Sequence, residues 1–334
     1  MKDIKNYLLI FMIDYPEIND SLRRRFSVAV SLGQISPEEY INILSQYKDY
    51  IHDVYFSPTE SLKYCTRKNI YDFSSTSNNE RQTMIRKILM FAQENGIEIC
   101  LTLNASMVSA SEMADLFELY QSWIHLDHIT TTHEVAKIIK RRNYHIPITC
   151  SYNEAIVTHK HLMGILNDDI FDTIVLGGRF LRDLKAFELV KSMGKNTVLM
   201  LNTGCCVNCA SFCRNPDKHY CVELFRKNLT LLGIEYMYAN QTIFPEEIGT
   251  YYLPSAAVDI FKLASRPIKS EELKSMLSSY TSLDSQSFIE KSMENYHLYG
   301  RLNHFVPHYT QLNYKNILKY KESIWGKAMQ KYNA

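Results

Sequence analysis

Along nearly the whole chain, short apolar runs rich in β-branched residues alternate with longer stretches whose apolar positions recur every three or four residues. The first pattern reads as buried strand and the second as amphipathic helix. Eight strand-type runs follow one another: Phe26 to Ser31, Asp53 to Ser57, Ile97 to Leu103, Ile124 to Ile129, Ile146 to Cys150, Thr173 to Leu176, Thr197 to Leu201 and Val258 to Leu263. Helical stretches lie between them, among them Glu38 to Tyr50, Arg81 to Asn95, Ala110 to Gln121 and Leu181 to Met193. Gly96 and Gly194 stand just past two of these, where a helix commonly stops in a left-handed residue.

Such alternation predicts an α/β fold with a parallel sheet, and eight repeats of it predict a (β/α)8 TIM-like barrel. An open doubly wound sheet shares the local pattern and is the competing architecture. In both, functional groups collect at the C-terminal ends of the strands, and here those ends are polar: Ser57, Asn104, Thr130 to Thr132, Ser151, Asn153, Gly177 to Arg179, Asn202 to Cys206 and Arg266. From Ser270 onward the strand pattern is lost. The chain is therefore divided into a barrel domain, 1–269, and a helical C-terminal extension, 270–334, whose Tyr296, His297, Tyr299, His304, His308 and Tyr309 can pack it onto the barrel or serve association.

The 334 residues are 46% hydrophobic, enough for a full core. Thirty-seven basic against thirty-six acidic side chains leave a net charge of +1, so no field over the whole protein draws it onto nucleic acid or an anionic membrane. A small molecule or short peptide is the expected substrate class, and nucleic acid is not favoured. The apolar run Tyr7 to Ile13 is followed at once by Asp14 and Glu17 and lacks a small-residue cleavage site, so it reads as strand or core and not as a secretory signal. No stretch approaches the ~20 apolar residues of a membrane helix. A cytoplasmic protein is expected, and there clustered cysteines read as ligands rather than disulfides.

Clustered they are: five of the eight cysteines fall between Cys205 and Cys221, directly after the seventh strand. Cys206, Cys209, Cys213 and Cys221 form Cys-x2-Cys-x3-Cys-x7-Cys, with Cys205 as a spare or alternative first ligand. Four thiolates in one loop suit a [4Fe–4S] cluster, and they also satisfy tetrahedral Zn²⁺. The second Cys-x2-Cys knuckle of a zinc ribbon is missing. Radical S-adenosylmethionine chemistry fits poorly, since it uses Cys-x3-Cys-x2-Cys near the first strand. Cys100 and Cys150 lie in apolar strand contexts and read as small core residues, while Cys65 is an isolated outside candidate.

Four segments together resemble family 32 of the peptidases of unassigned mechanism: Ser151-Tyr-Asn-Glu154, Ile174 to Asp183, Asn202-Thr-Gly-Cys-Cys206 and Phe261-Lys-Leu-Ala-Ser-Arg266. The resemblance spans roughly residues 26 to 275, with Cys209-x3-Cys213-Arg214 nearest the family's cysteine core and Ser265 where it usually has glycine. It implies an iron–sulfur barrel acting in oxygen-independent hydroxylation, the role of members that modify ubiquinone precursors, transfer RNA or ribosomal RNA. It also implies two alternatives, a peptidase and a non-catalytic partner whose loop holds structural zinc or a cluster, with homo- or hetero-oligomers possible. For the peptidase, His133-Glu134 is followed by Lys137 where a zincin needs histidine, and no Gly-x-Ser-x-Gly elbow occurs.

Three cations near strand ends are candidates for binding an anionic substrate. Lys262 and Arg266 flank the end of the eighth strand, where alternation lets one face the barrel mouth, and Arg179 follows a Gly-Gly turn. His125, Asp127 and His128 share a strand end as a candidate proton-transfer or metal site, against the simpler reading of a hydrogen-bonded strand terminus.

Overall fold

The computed structural model describes residues 20–32, 35–64, 76–105, 108–142, 144–154, 156–202, 218–264, 269–294 and 314–333. Eight parallel strands close into a barrel in sequential order: β1 Phe26–Ala29, β2 Ile51–Phe56, β3 Glu98–Leu103, β4 His128–Thr131, β5 Ile148–Cys150, β6 Thr173–Leu176, β7 Asn196–Met200 and β8 Ile260–Lys262. Closure is made by β1 on β8, with Phe26 beside Phe261 and Ser27 beside Lys262. The barrel reading of the sequence is thus correct and the open sheet is excluded. Helices α1 (Pro37–Tyr47), α2 (Asn78–Glu94), α3 (Ala110–Gln121), α4 (His133–Arg141), α5 (His159–Asn167) and α6 (Leu184–Ser192) fill the successive crossovers.

Local chemistry explains the boundaries. Ser36 and Ser77 each cap a helix reciprocally with the glutamate three residues on, Glu39 and Glu80. At the far ends Gly96 and Gly194 take φ of 63° and 71°, which a side chain would resist. Aspartates stand just before three of the even-numbered strands. Asp127, Asp172 and Asp259 each accept, at 2.8 Å, the backbone N–H of Ile99, Ile148 and Thr197 in the preceding strand. These carboxylates tie neighbouring strands at the N-terminal floor of the barrel, where their own backbone N–H groups bond back to Ile99, Ile148 and Thr197.

Outward-facing strand residues such as Val28, Val54, Phe56, Ile99, Leu101, Ile174 and Leu199 join the helices in one continuous core. Inside, the described residues form two small apolar patches: Ala29, Tyr55 and Cys100 on one side, and Val175, Val198, Met200 and Ala264 on the other. Buried Ser27, Asp53, Thr102, Thr130, Thr149 and Lys262 occupy strands between and beside them. Barrel interiors are ordinarily filled by branched apolar side chains, so this polar content departs from the usual interior packing.

Beyond β7 lie α7 (Lys218–Leu232) and α8 (Ile234–Gln241), then short turns through Ser255. After β8, α9 (Ser270–Thr281) puts Leu273, Met276, Leu277 and Tyr280 into the common core, followed by α10 (Ser285–Glu294). The last helix, α11 (Tyr314–Asn333), reaches that core through Ile317 and Trp325. Among the described residues no helix is long and apolar enough to cross a membrane. The Tyr7 to Ile13 run, and the tyrosines and histidines between 296 and 309, lie outside the described residues.

Tyr40, Tyr252 and Tyr280 are fully buried, and burial raises each phenol well above its ordinary pKa of 10. Their stabilising contribution is complete below pH 10, the unfolded value, and is lost as pH rises above it, because only the unfolded chain then releases those protons. Alkaline titration should therefore show tyrosinate absorbance from these residues appearing together with loss of helical circular dichroism. Phenolate signal from all tyrosines in a still-folded protein would contradict this.

Candidate functional site at the barrel mouth

The C-terminal mouth is lined by a connected set of polar groups supplied by successive strands. Asn104, just past β3, donates from Nδ2 to Ser151 Oγ at 2.7 Å, and Asn153 donates from Nδ2 back to the Asn104 carbonyl at 3.0 Å. Ser151 Oγ also accepts the Asn153 backbone N–H, so the loops after β3 and β5 hold each other in place. Thr131 Oγ1 donates to the Leu103 carbonyl at 2.7 Å. Ser31, past β1, has a buried hydroxyl with no partner among the described residues.

On the other side Gly177 follows β6 in close contact. A Cβ there would lie 2.8 Å from the Tyr152 ring and 3.2 Å from Met200 Cβ, so the close approach of these strands needs glycine. The next turn carries Arg179 into solvent. It is Arg182 that is buried. It donates to both oxygens of Glu247 and to the carbonyls of Ala239, Asn240 and Thr242, a structural role that sequence reading does not single out.

Lys262 is the interior cation. Its Nζ stands 3.7 Å from the centroid of the Tyr55 ring, whose hydroxyl donates to the Leu263 carbonyl at 2.6 Å. No carboxylate among the described residues forms an ion pair with it, so the aromatic face is its fixed neighbour. A buried cation without a counter-ion opposes folding. Lys262→Met is therefore expected to leave the unfolding midpoint unchanged or higher, which thermal denaturation checks; a clear drop would make Lys262 a stabilising group instead.

The segment after β7 delivers Asn202 to this rim. Its Oδ1 accepts the Ala264 N–H at 2.7 Å, while Leu201 bonds through its N–H to the Lys262 carbonyl and through its carbonyl to Ile243. The start of the cysteine loop is thereby tied to the end of β8, beside Lys262. Cys205, Cys206, Cys209 and Cys213 lie outside the described residues, as does Arg266. Cys221 is the fourth residue of α7, in the first turn. Cys100 and Cys150 are buried free thiols, as expected.

The structure keeps His125 with Asp127 and directs His128 elsewhere. The strand expected over Ile124 to Ile129 begins only at His128, because Asp127 is engaged by Ile99 at the strand entrance. These residues stand on the floor of the barrel and not at its mouth. His125 pairs with Asp127 at 3.2 Å on the surface, whereas His128 turns inward toward Asp53 and Glu98. Burial opposes charge on His128, but the Cys100 sulfur, Asp53 and Glu98 together outweigh it and raise its pKa to about 9.

No protein-family model matches the chain, and no curated protein matches it. Among solved structures, a U32 peptidase is similar at 11% identity and a TM-score of 0.47, over 73% of this chain and 93% of that one. N-acetylneuraminate lyase from Fusobacterium nucleatum, complexed with pyruvate, is similar at 9% identity and a TM-score of 0.43, over 92% and 97% of the two chains. At such identities the likeness concerns the fold alone.

Proposed function

We propose that the chain is a redox barrel in which Cys206, Cys209, Cys213 and Cys221, with Cys205 as the alternative ligand, hold a [4Fe–4S] cluster beside the mouth. Its role in this reading is oxygen-independent hydroxylation, or a related redox modification, of a small anionic substrate. The observation that carries the proposal is the mouth itself: a buried Lys262, without an ion-pair partner among the described residues, next to the fixed exit of β7 from which the cysteine loop departs. The donor set fits the cofactor, since four thiols are what a cubane cluster takes.

Each part of the mouth has a physical task in this reading. Lys262 binds the anionic group of the substrate, with Arg179 and Arg266 as outer cations. Asn104, Ser151 and Asn153 form a braced wall that can orient polar groups of a bound molecule. With water as oxygen source, hydroxylation releases two electrons and two protons, and a cluster held by these cysteines would pass the electrons one at a time to an external one-electron acceptor.

Protein purified without oxygen should be brown and contain about four iron and four sulfide per chain. Colourless protein with stoichiometric zinc would overturn the redox reading and favour a structural loop.

A further inference from the structure

The floor of the barrel carries a second constellation, at the opposite end of the strands from Asn202. His52 is the second residue of β2, and Glu98 and His128 are the first residues of β3 and β4. Adjacent strands thus bring together two imidazoles and a carboxylate, with one ligating atom from each within 4.8 Å of the other two. Glu98 Oε2 is 3.5 Å from His52 Nε2 and 3.8 Å from His128 Nε2. Donors about 2.1 Å from a tetrahedral ion stand about 3.4 Å apart, so small side-chain rotations complete the set.

Two further observations point the same way. Both ring nitrogens of His128 are buried and make no hydrogen bond of normal geometry among the described residues, although the Asp53 and Glu98 carboxylates lie at 3.9 and 3.8 Å and the Cys100 sulfur is beside it. Asp53, itself buried, directs Oδ2 toward His128 Nε2 at 3.9 Å, while its Oδ1 accepts a 2.7 Å hydrogen bond from Ser27 Oγ. A carboxylate oriented in this way by a hydroxyl is a usual neighbour or fourth ligand of a metal site. Solvent reaches the group from the His52 and Glu98 side, where the side chains are 24% and 45% exposed.

We propose that His52, Glu98 and His128, assisted by Asp53, form a binding site for a first-row divalent cation of the zinc class that pins β2, β3 and β4 together at the barrel floor. The mixed imidazole and carboxylate donors favour such an ion over Mg²⁺ or Ca²⁺, which prefer all-oxygen sites. Its position at the N-terminal face, away from the mouth, gives the ion a structural task.

Co²⁺ titration of the full chain provides the test, because nitrogen and oxygen donors give weak visible bands without the sulfur-to-metal charge transfer that the cysteine loop would add. The expected result is one Co²⁺ per chain with that thiolate-free spectrum, displaced by Zn²⁺, and a rise in unfolding midpoint with Zn²⁺. Glu98→Gln and His52→Gln alter partly exposed positions, so both should fold, and each should weaken binding by at least about tenfold, on the scale of supporting-ligand losses. Binding seen only with sulfur charge transfer, or unchanged in both variants, would overturn the proposal.

Discussion

Cys206→Ser, Cys209→Ser, Cys213→Ser and Cys221→Ser are each expected to drop iron from about four atoms per chain to less than one, with the brown colour lost. Cys205→Ser should leave both intact. The reason is the number of thiolates that can close a cubane: with a ligand missing, the cluster faces solvent and falls apart, whereas a spare thiol is dispensable. The spacing also makes the outcome informative beyond presence or absence. If Cys205→Ser strips the iron and Cys206→Ser does not, the first ligand moves by one residue and the rest of the set stands. If all five variants keep full iron, the loop is not the ligand set. Because the loop leaves from Asn202, whose side chain is fixed by Ala264, far-ultraviolet circular dichroism should remain that of the wild type in each variant.

Arg182→Met is expected to be the most damaging single change to stability. The guanidinium bonds Glu247 through Nε at 2.9 Å and Nη2 at 3.1 Å, and it satisfies the carbonyls of Ala239, Asn240 and Thr242 at the C-terminal end of α8. Glu247 is 1% exposed and also accepts from the Trp325 indole N–H and the Phe244 backbone N–H. Removing the cation strands a buried carboxylate and three carbonyls at once. Breaking a buried pair from one side costs about 3 to 5 kcal/mol, and in a chain of this size that lowers the midpoint by roughly 5 °C. Trp325, stacked on Tyr251 at 3.7 Å, ties α11 to the same centre, so proteolysis of the C-terminal helix should accelerate in the variant. The double variant Arg182→Met/Glu247→Gln should recover part of the loss, because the uncompensated charge is then gone. A midpoint for Arg182→Met equal to wild type would mean that the pair adds nothing net.

Elements with strong period and clear punctuation are legible in the amino-acid order: all eight strands, the helices ending at Gly96 and Gly194, and the placement of the cysteine run after β7. The apolar pattern starts β4 a few residues too early, because Ile124 and Leu126, although buried, belong to the turn that follows α3. That shift puts His125 and Asp127 inside the expected strand, whereas both precede it and only His128 belongs to β4. Arg179 and Arg182 follow the same Gly-Gly turn, and the pattern favours the first as the functional cation. Only the docking of α8 and the Glu247 turn distinguishes the buried arginine from the exposed one.

By itself the sequence determined what depends on neighbours along the chain: the order of strands and helices, where helices cap and stop, and a local set of thiols whose spacing suits one metal centre. Tertiary structure decided closure of the sheet and the register that follows from it. Register sets which alternate side chains point inward, and so it alone brought Lys262 over Tyr55 across a sequence separation that no periodicity reports. The same register set His52, Glu98 and His128 side by side on three strands, a meeting that each residue's own surroundings in the chain do not announce.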